Sequence, residues 1–197
     1  MPERLFLNAL SVVQDLADRL ILPGDTVVDA TAGNGRDTLW LARLVGESGR
    51  VVALDIQQEA LERTARLLKE NGMEDRVQLF CLDHSRLESL GLTDVKLVVY
   101  NLGYLPGGEK TLCTGADSTL SSLSQAMKLL LPGGAVCLTV YPGHPPGARE
   151  ALALGGFIRG LDQNVFDVVV LDFPNRKNHS PYPVIIQKLE GGVSGEE

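Results

Sequence analysis

No apolar run in this chain reaches the ~18 residues a helix needs to cross a bilayer. Its first residues show no basic segment leading into an apolar core, so neither secretion nor a membrane anchor is expected. Cysteine is scarce. Cys81, Cys113 and Cys137 are odd in number, far apart and without metal-ligand spacing. That excludes a disulfide framework and points to reduced, mostly buried thiols in a cytoplasmic protein. Positive charge is also in short supply: the formal net charge is −7, against a broadly basic nucleic-acid surface but not against a local basic patch. Arg63, Arg66 and Lys69 on one helix could form such a patch or be solvated surface charges; Arg176-Lys177 in a late loop is a second candidate. His144 and His179 are isolated from each other, which makes a metal role improbable, and no Ser/His/Asp or Cys/His set suggests hydrolysis. No internal repeat is present.

What remains is an ordinary globular composition, 44% hydrophobic and 22% charged over 197 residues, enough for one domain with one substantial core. Residues 3–21 have the spacing of an amphipathic helix that stops near Pro23-Gly24. Strand-like runs follow at 26–30, 51–55, 77–81, 96–101, 135–140, 166–172 and 184–189, with helical periodicity at about 37–46, 57–71, 118–131 and 146–154. Asn71-Gly72 and Pro132-Gly133-Gly134 read as helix stops. The βαβαβ order implies an α/β, Rossmann-like, doubly wound and mostly parallel seven-stranded sheet. No helix separates the last two strands, so a C-terminal antiparallel hairpin is expected to close it. Residues 1–190 form the expected domain, with an N-terminal helix; 191–197 lack apolar anchors and read as a disordered tail.

The most informative stretch is Val27-Val28-Asp29-Ala30-Thr31-Ala32-Gly33-Asn34-Gly35-Arg36-Asp37-Thr38. It is a strand–turn–helix unit whose backbone can approach a ligand closely, because Gly33 and Gly35 lack Cβ. Asp55 ends the next strand, 20 residues after Gly35, near the spacing of a ribose-binding carboxylate. A dinucleotide fingerprint needs a third glycine at position 38, which is Thr. Asp29 and Asp37 flank the turn with negative charge, better suited to a cationic ligand than to a pyrophosphate. S-adenosyl-L-methionine carries a ribose, an ammonium and a sulfonium, and the turn leans towards it. A nicotinamide oxidoreductase and a non-catalytic cofactor-binding protein are the other classes this fold admits.

A doubly wound sheet binds ligands beyond the carboxyl ends of its strands. Cys81-Leu82-Asp83-His84, the run from Asn101 through Gly103 and Tyr104 to Gly108, and Tyr141-Pro142-Gly143-His144 all fall there. These features together resemble class I S-adenosylmethionine-dependent methyltransferases. More narrowly, Asp29–Thr38, Asn101-Leu-Gly-Tyr-Leu-Pro-Gly107, Tyr141–His144 and Asn175-Arg-Lys-Asn178 resemble the YtqB-like family over nearly the whole chain. The chain departs from the family pattern at Arg36, where His is common, and at Ser180, where Pro is common.

That resemblance implies methylation of a tRNA wobble uridine, from 5-aminomethyl-2-thiouridine to its 5-methylaminomethyl form; the residues by themselves leave rRNA or a small-molecule amine as the competing substrate. Its expected partners are tRNA, at the anticodon region, and a second copy of the chain as a homodimer, with no membrane. The backbone of Ala32, Gly33, Asn34 and Gly35 would receive the methionyl carboxylate, with Asp29 accepting from the ammonium. Asp37 and Thr38 complete the turn's contribution. Asp55 would take the ribose hydroxyls or cap the following helix, with Ile56 and Gln57 beside it. Asp83 would accept from the adenine amine, with His84 beside the ring or merely on a surface loop. Asn101 would orient the attacking amine, with Gly103 and Tyr104 next to it and Tyr104 free to stack on a base. His144, Asn175, Arg176, Lys177 and Asn178 would hold the RNA.

Overall fold

The computed structural model describes residues 8–102, 115–177 and 179–191. Strands β1 Thr26–Asp29, β2 Arg50–Asp55, β3 Val77–Cys81, β4 Val95–Asn101, β5 Leu130–Val140, β6 Phe166–Val170 and β7 Tyr182–Lys188 form one sheet. Its order is β3-β2-β1-β4-β5-β7-β6. The first five strands run parallel, and β7 is antiparallel to both β5 and β6. The expected hairpin is therefore present, inserted so that β7 rather than β6 adjoins β5. Winding reverses between β1 and β4, and the crevice beyond their carboxyl ends is where such folds place ligands.

Both sheet faces are covered, so the central strands are apolar throughout rather than alternating. Val28, Val98, Tyr100, Val136 and Leu138 face a core shared with α4 Ala116–Leu129 and α5 Pro145–Arg159. Val27, Leu97, Val99, Ala135 and Cys137 face the other way, onto α1 Ala9–Leu20 and α2 Arg36–Leu44. Helix α3 Gln58–Glu70 packs with α2, β2 and β3. Among the described residues no helix is long and apolar enough to cross a membrane. Cys137 is buried and Cys81 exposed, both as free thiols; Cys113 lies outside the described residues.

Three boundaries differ from the periodicity. Helix α1 begins at Ala9, because Asn8 is extended and its side chain accepts from the Ser11 N–H at 2.8 Å in a capping box; residues 3–7 of the expected helix lie outside the described residues. Pro132-Gly133-Gly134 does not follow a helix directly. Helix α4 ends at Leu129, and these residues form a bulge inside β5, where pairing jumps from Val95↔Leu130 to Leu97↔Ala135. A Cβ at Gly134 would stand 3.0 Å from the carbonyl oxygens of Val95 and Lys96, so the bulge requires glycine. Helix α5 runs on through Gly155-Gly156 to Arg159. The 3₁₀ segment His84–Leu90, which no periodicity signalled, packs on α4. The expected tail at 192–197 lies outside the described residues.

Candidate active site

The turn after β1 is built by backbone hydrogen bonds. Ala32 N–H donates to the Leu54 carbonyl at 2.8 Å and Gly35 N–H to the Ala32 carbonyl at 2.8 Å. Gly33 N–H donates to Asp55 Oδ2 at 2.8 Å. These three donors are thus engaged within the protein. Helix geometry instead leaves the first N–H groups of α2, at Arg36 and Asp37, without intrahelical acceptors. Gly35 caps α2 at φ 79°, and a Cβ there would lie 2.9 Å from the Thr64 Cα of α3. Its missing side chain therefore serves turn–helix packing rather than ligand approach.

Asp29 ends β1 and is 1% exposed. It accepts from the Thr31 N–H at 3.1 Å and from the Thr38 hydroxyl at 2.6 Å. Thr38 is itself wholly buried, and its hydroxyl is committed to Asp29. Burial first, and then the charge of Asp37, push the Asp29 pKa up to about 7 despite those two bonds. Asp37, more accessible in the first turn of α2, is raised by burial, with Asn101 and Arg36 opposing. Two carboxylates raised together in one crevice form a field that a cation relieves.

Asn101 ends β4. Its N–H donates to Thr31 Oγ1 at 2.8 Å, and its Nδ2 donates to Asp37 Oδ2 at 3.3 Å. Tyr141 follows β5 two residues past Thr139, the sheet partner of Asn101; burial first, and then the charge of Asp37, raise its pKa, with the neighbouring Asn101 side chain opposing. Sequence reasoning alone assigns Tyr141 no role. The available signal is an aromatic phenol at a strand's carboxyl end, next to the strand that carries Asn101. Asp29, Asp37 and Asn101 border a small cavity with room for about one water, which Leu10, Val13 and Trp40 also line.

Further along the crevice, Asp55 Oδ1 accepts from the Gln57 N–H at 2.9 Å. Gln57, not Asp55, is the N-cap of α3, and its side chain makes no capping bond. Ile56 beside it is 50% exposed. Partial burial works to raise the Asp83 pKa, but bonds from Ser85 and the nearby His84 outweigh it and lower the carboxyl. His84 is 7% exposed and meets Tyr100 edge-on at 5.8 Å, so it is no surface loop residue. Burial lowers its pKa against the pull of Asp83 and Asp55, which keeps it neutral at pH 7.

The expected RNA-binding residues divide. His144 is the N-cap of α5, where Nδ1 accepts from the Gly147 N–H at 3.1 Å, so one ring nitrogen is structural. The Asn175-Arg176-Lys177 loop joins β6 to β7 at the carboxyl end of β5, because Tyr182 pairs with Val140 beside Tyr141. Asn175 and Lys177 are exposed, while the Arg176 guanidinium stacks 3.7 Å above the Phe173 ring. Arg63, Arg66 and Lys69 are exposed along α3, interspersed with Glu59, Glu62 and Glu70. Gly103, Tyr104 and Asn178 lie outside the described residues. Among the described residues no cluster of His, Cys, Asp and Glu could hold a metal ion.

The Putative rRNA methylase family matches residues 51–187. The protein-L-isoaspartate(D-aspartate) O-methyltransferase family matches residues 7–86. The chain is 42% identical, over 164 residues, to the chloroplastic tRNA (mnm(5)s(2)U34)-methyltransferase of Arabidopsis thaliana, covering 78% of this chain and 60% of that protein. It spans about 60% of the length of the curated relatives it matches. The crystal structure of a putative rRNA-methylase from Clostridium thermocellum superposes with a TM-score of 0.93 at 40% identity, covering 94% of this chain and all of that one. A Streptococcus mutans methyltransferase solved in complex with SAH superposes at 0.85 with 29% identity, covering 96% and 100%. The seven-stranded doubly wound sheet, the Asp29–Thr38 turn and these matches place the chain in the Putative rRNA methylase family, with a class I methyltransferase fold.

Proposed function

We propose that this protein is an S-adenosyl-L-methionine-dependent N-methyltransferase acting on the tRNA wobble uridine, converting 5-aminomethyl-2-thiouridine to 5-methylaminomethyl-2-thiouridine. The observation that carries the substrate is the 42% identity to the Arabidopsis enzyme of that name. The site's chemistry supports the cofactor independently. Asp29 and Asp37 suit an ammonium and a sulfonium and repel a pyrophosphate, and the buried Thr38 stands where a dinucleotide site needs glycine. S-adenosyl-L-methionine supplies an electrophilic methyl group on a sulfonium.

The chain's residues then divide the work. The α2 N-terminus receives the methionyl carboxylate, with Asn34 and the Gly33–Gly35 turn beneath it. Asp55 uses its remaining lone pairs on the ribose hydroxyls, with Gln57 adjacent. Exposed Ile56 offers an apolar face to the adenine, and Asp83 and neutral His84 address its polar edge. Asn101 orients the amine, with Gly103 and Tyr104 following it in the chain. No covalent enzyme intermediate is required, so positioning and electrostatics dominate. Reduced thiols and the tRNA substrate accord with a cytoplasmic site of action.

The test is mass spectrometry of tRNA nucleosides after incubation with the protein and S-adenosyl-L-methionine. The expected product is the 5-methylaminomethyl nucleoside. Methylation of rRNA alone would replace the substrate, and NAD binding without any response to S-adenosyl-L-methionine would end the methyltransferase reading.

A further inference from the structure

An aliphatic primary amine, like that of lysine, has a pKa near ~10 and is an ammonium at pH 7. It has no lone pair to offer until a proton leaves. An amine methyltransferase therefore needs a proton acceptor, a task that Asn101 cannot perform, since an amide does not take up a proton. Among the described residues, Asp29, Asp37, Asp55 and Asp83 stand at the carboxyl ends of β1 to β3 or in the segments that follow them, and their bonding separates them. Asp29 is 1% exposed, with both oxygens engaged by Thr31 and Thr38. Both Asp55 oxygens are engaged by backbone N–H groups of Gly33 and Gln57. Asp83 caps the segment after β3, two strands away from β1 on the side opposite β4. Asp37 alone is tied directly to Asn101, by an Nδ2···Oδ2 contact of 3.3 Å, and it is accessible where Asp29 is not.

We propose that Asp37 receives the substrate ammonium and takes its proton, and that Tyr141, acting through the Asn101 side chain, is the positioning residue that holds this carboxylate and the attacking nitrogen in line. The proposal rests on the amine-methyltransferase reading above. In the first step one N–H bond of the ammonium breaks and its proton moves to Asp37, leaving the neutral amine. The nitrogen lone pair then forms the N–CH₃ bond while the methyl–sulfur bond breaks and its electron pair stays on sulfur. The products are a secondary ammonium, S-adenosylhomocysteine and protonated Asp37, which returns its proton to water. Charge is +1 before and after.

The surroundings of Asp37 fit a proton acceptor. Asp29 faces it from β1, Asn101 from β4, Tyr141 from the end of β5, and Arg36 adjoins it on α2. The apolar side chains of Leu10, Val13 and Trp40 border the same cavity. Burial favours the proton-bound form of Asp37, against the opposing pull of Asn101 and Arg36, narrowing the gap to an ammonium that loses its own hydration in the crevice.

Single-turnover methyl transfer to tRNA at saturating cofactor, followed against pH, tests this. Asp37→Asn should be slowed by about 100-fold or more at pH 7, with its rate still climbing as pH approaches the amine's own pKa. Tyr141→Phe should lower the rate about tenfold without changing the KM for cofactor, since it removes orientation rather than binding. Asp37→Glu should recover part of the loss. Wild-type pH dependence in Asp37→Asn, or full rescue of its rate by saturating cofactor, would overturn the proposal and make Asp37 a cofactor ligand. Should Asp37→Asn fail to fold, Asp37→Glu and Tyr141→Phe decide, and wild-type rates in both overturn it. A wild-type protein that methylates no tRNA amine would instead sink the substrate reading on its own.

Discussion

Asp55 Oδ2 holds the Gly33 N–H at 2.8 Å across 22 residues of chain. The acid that ends β2 thereby braces the glycine turn that follows β1, while its other oxygen starts α3 through Gln57. A residue singled out for ligand binding is also a structural tie between two adjacent βα units. Its removal must therefore register in both affinity and stability.

Asp55→Ala should weaken S-adenosyl-L-methionine by about 1.5–3 kcal/mol, the usual loss for a hydrogen bond to a charged group, and lower the melting temperature of the free protein. Asp55→Asn keeps an acceptor oxygen for one of the two N–H groups, so it should fall between. Calorimetry paired with thermal unfolding separates the two effects. Lost affinity at unchanged melting temperature would mean that Gly33 finds another acceptor.

A pH effect follows from Asp29. Its pKa is raised from 3.8 to about 7 in the fold, so the native state binds a proton the unfolded chain has released. The resulting stability is fully present below 3.8 and is lost as pH rises through about 7. A cationic ligand favours the ionised form and reverses the trend. S-adenosyl-L-methionine should raise the melting temperature more at pH 8 than at pH 5.5, and calorimetry near pH 7 should record proton release. Equal stabilisation at both pH values would show that Asp29 does not change ionisation on binding.

The sheet and its hairpin were legible because strands buried on both faces are apolar runs, and Val27-Val28 or Val136–Val140 announce themselves. Asp29, Asp37, Asp55 and Asn101 were legible because strand ends and a glycine turn mark the crevice of any doubly wound sheet. Use of the turn's donors was not: that Ala32 bonds Leu54, and that Gly35 is glycine because of Thr64, depends on residues distant in sequence. Tyr141 escaped because its partner Asn101 lies on a neighbouring strand, 40 residues earlier. The bulge at Pro132-Gly133-Gly134 escaped because the same residues stop helices and kink strands.

Gly35→Ala tests the packing account of the turn. A left-handed Ala costs roughly 1–2 kcal/mol, and its Cβ would also meet the Thr64 Cα at 2.9 Å. Gly72 supplies the control, with φ +64° and no heavy atom within 4 Å of an added Cβ. Denaturant titration should find Gly35→Ala the more destabilising of the two by at least ~1 kcal/mol. Equal losses would return Gly35 to a purely conformational or ligand-contact role.

The β6–β7 loop bears on RNA recognition, and its two cations are not equivalent. Arg176 stacks on Phe173, which pre-forms a planar cationic surface suited to an unpaired base as well as to a phosphate. Lys177 is exposed and can act only as a mobile point charge. Lys177→Glu should therefore raise the KM for tRNA and reduce its salt dependence, by up to about 0.7 in the log–log slope for each phosphate it no longer neutralises. Arg176→Lys, which keeps the charge and loses the planar stack, should raise that KM with little change in the salt slope. Cofactor affinity should be untouched in both. Unchanged tRNA kinetics in Arg176→Glu with Lys177→Glu would move the RNA surface to Arg63, Arg66 and Lys69 on α3, where interspersed glutamates make a weaker phosphate track.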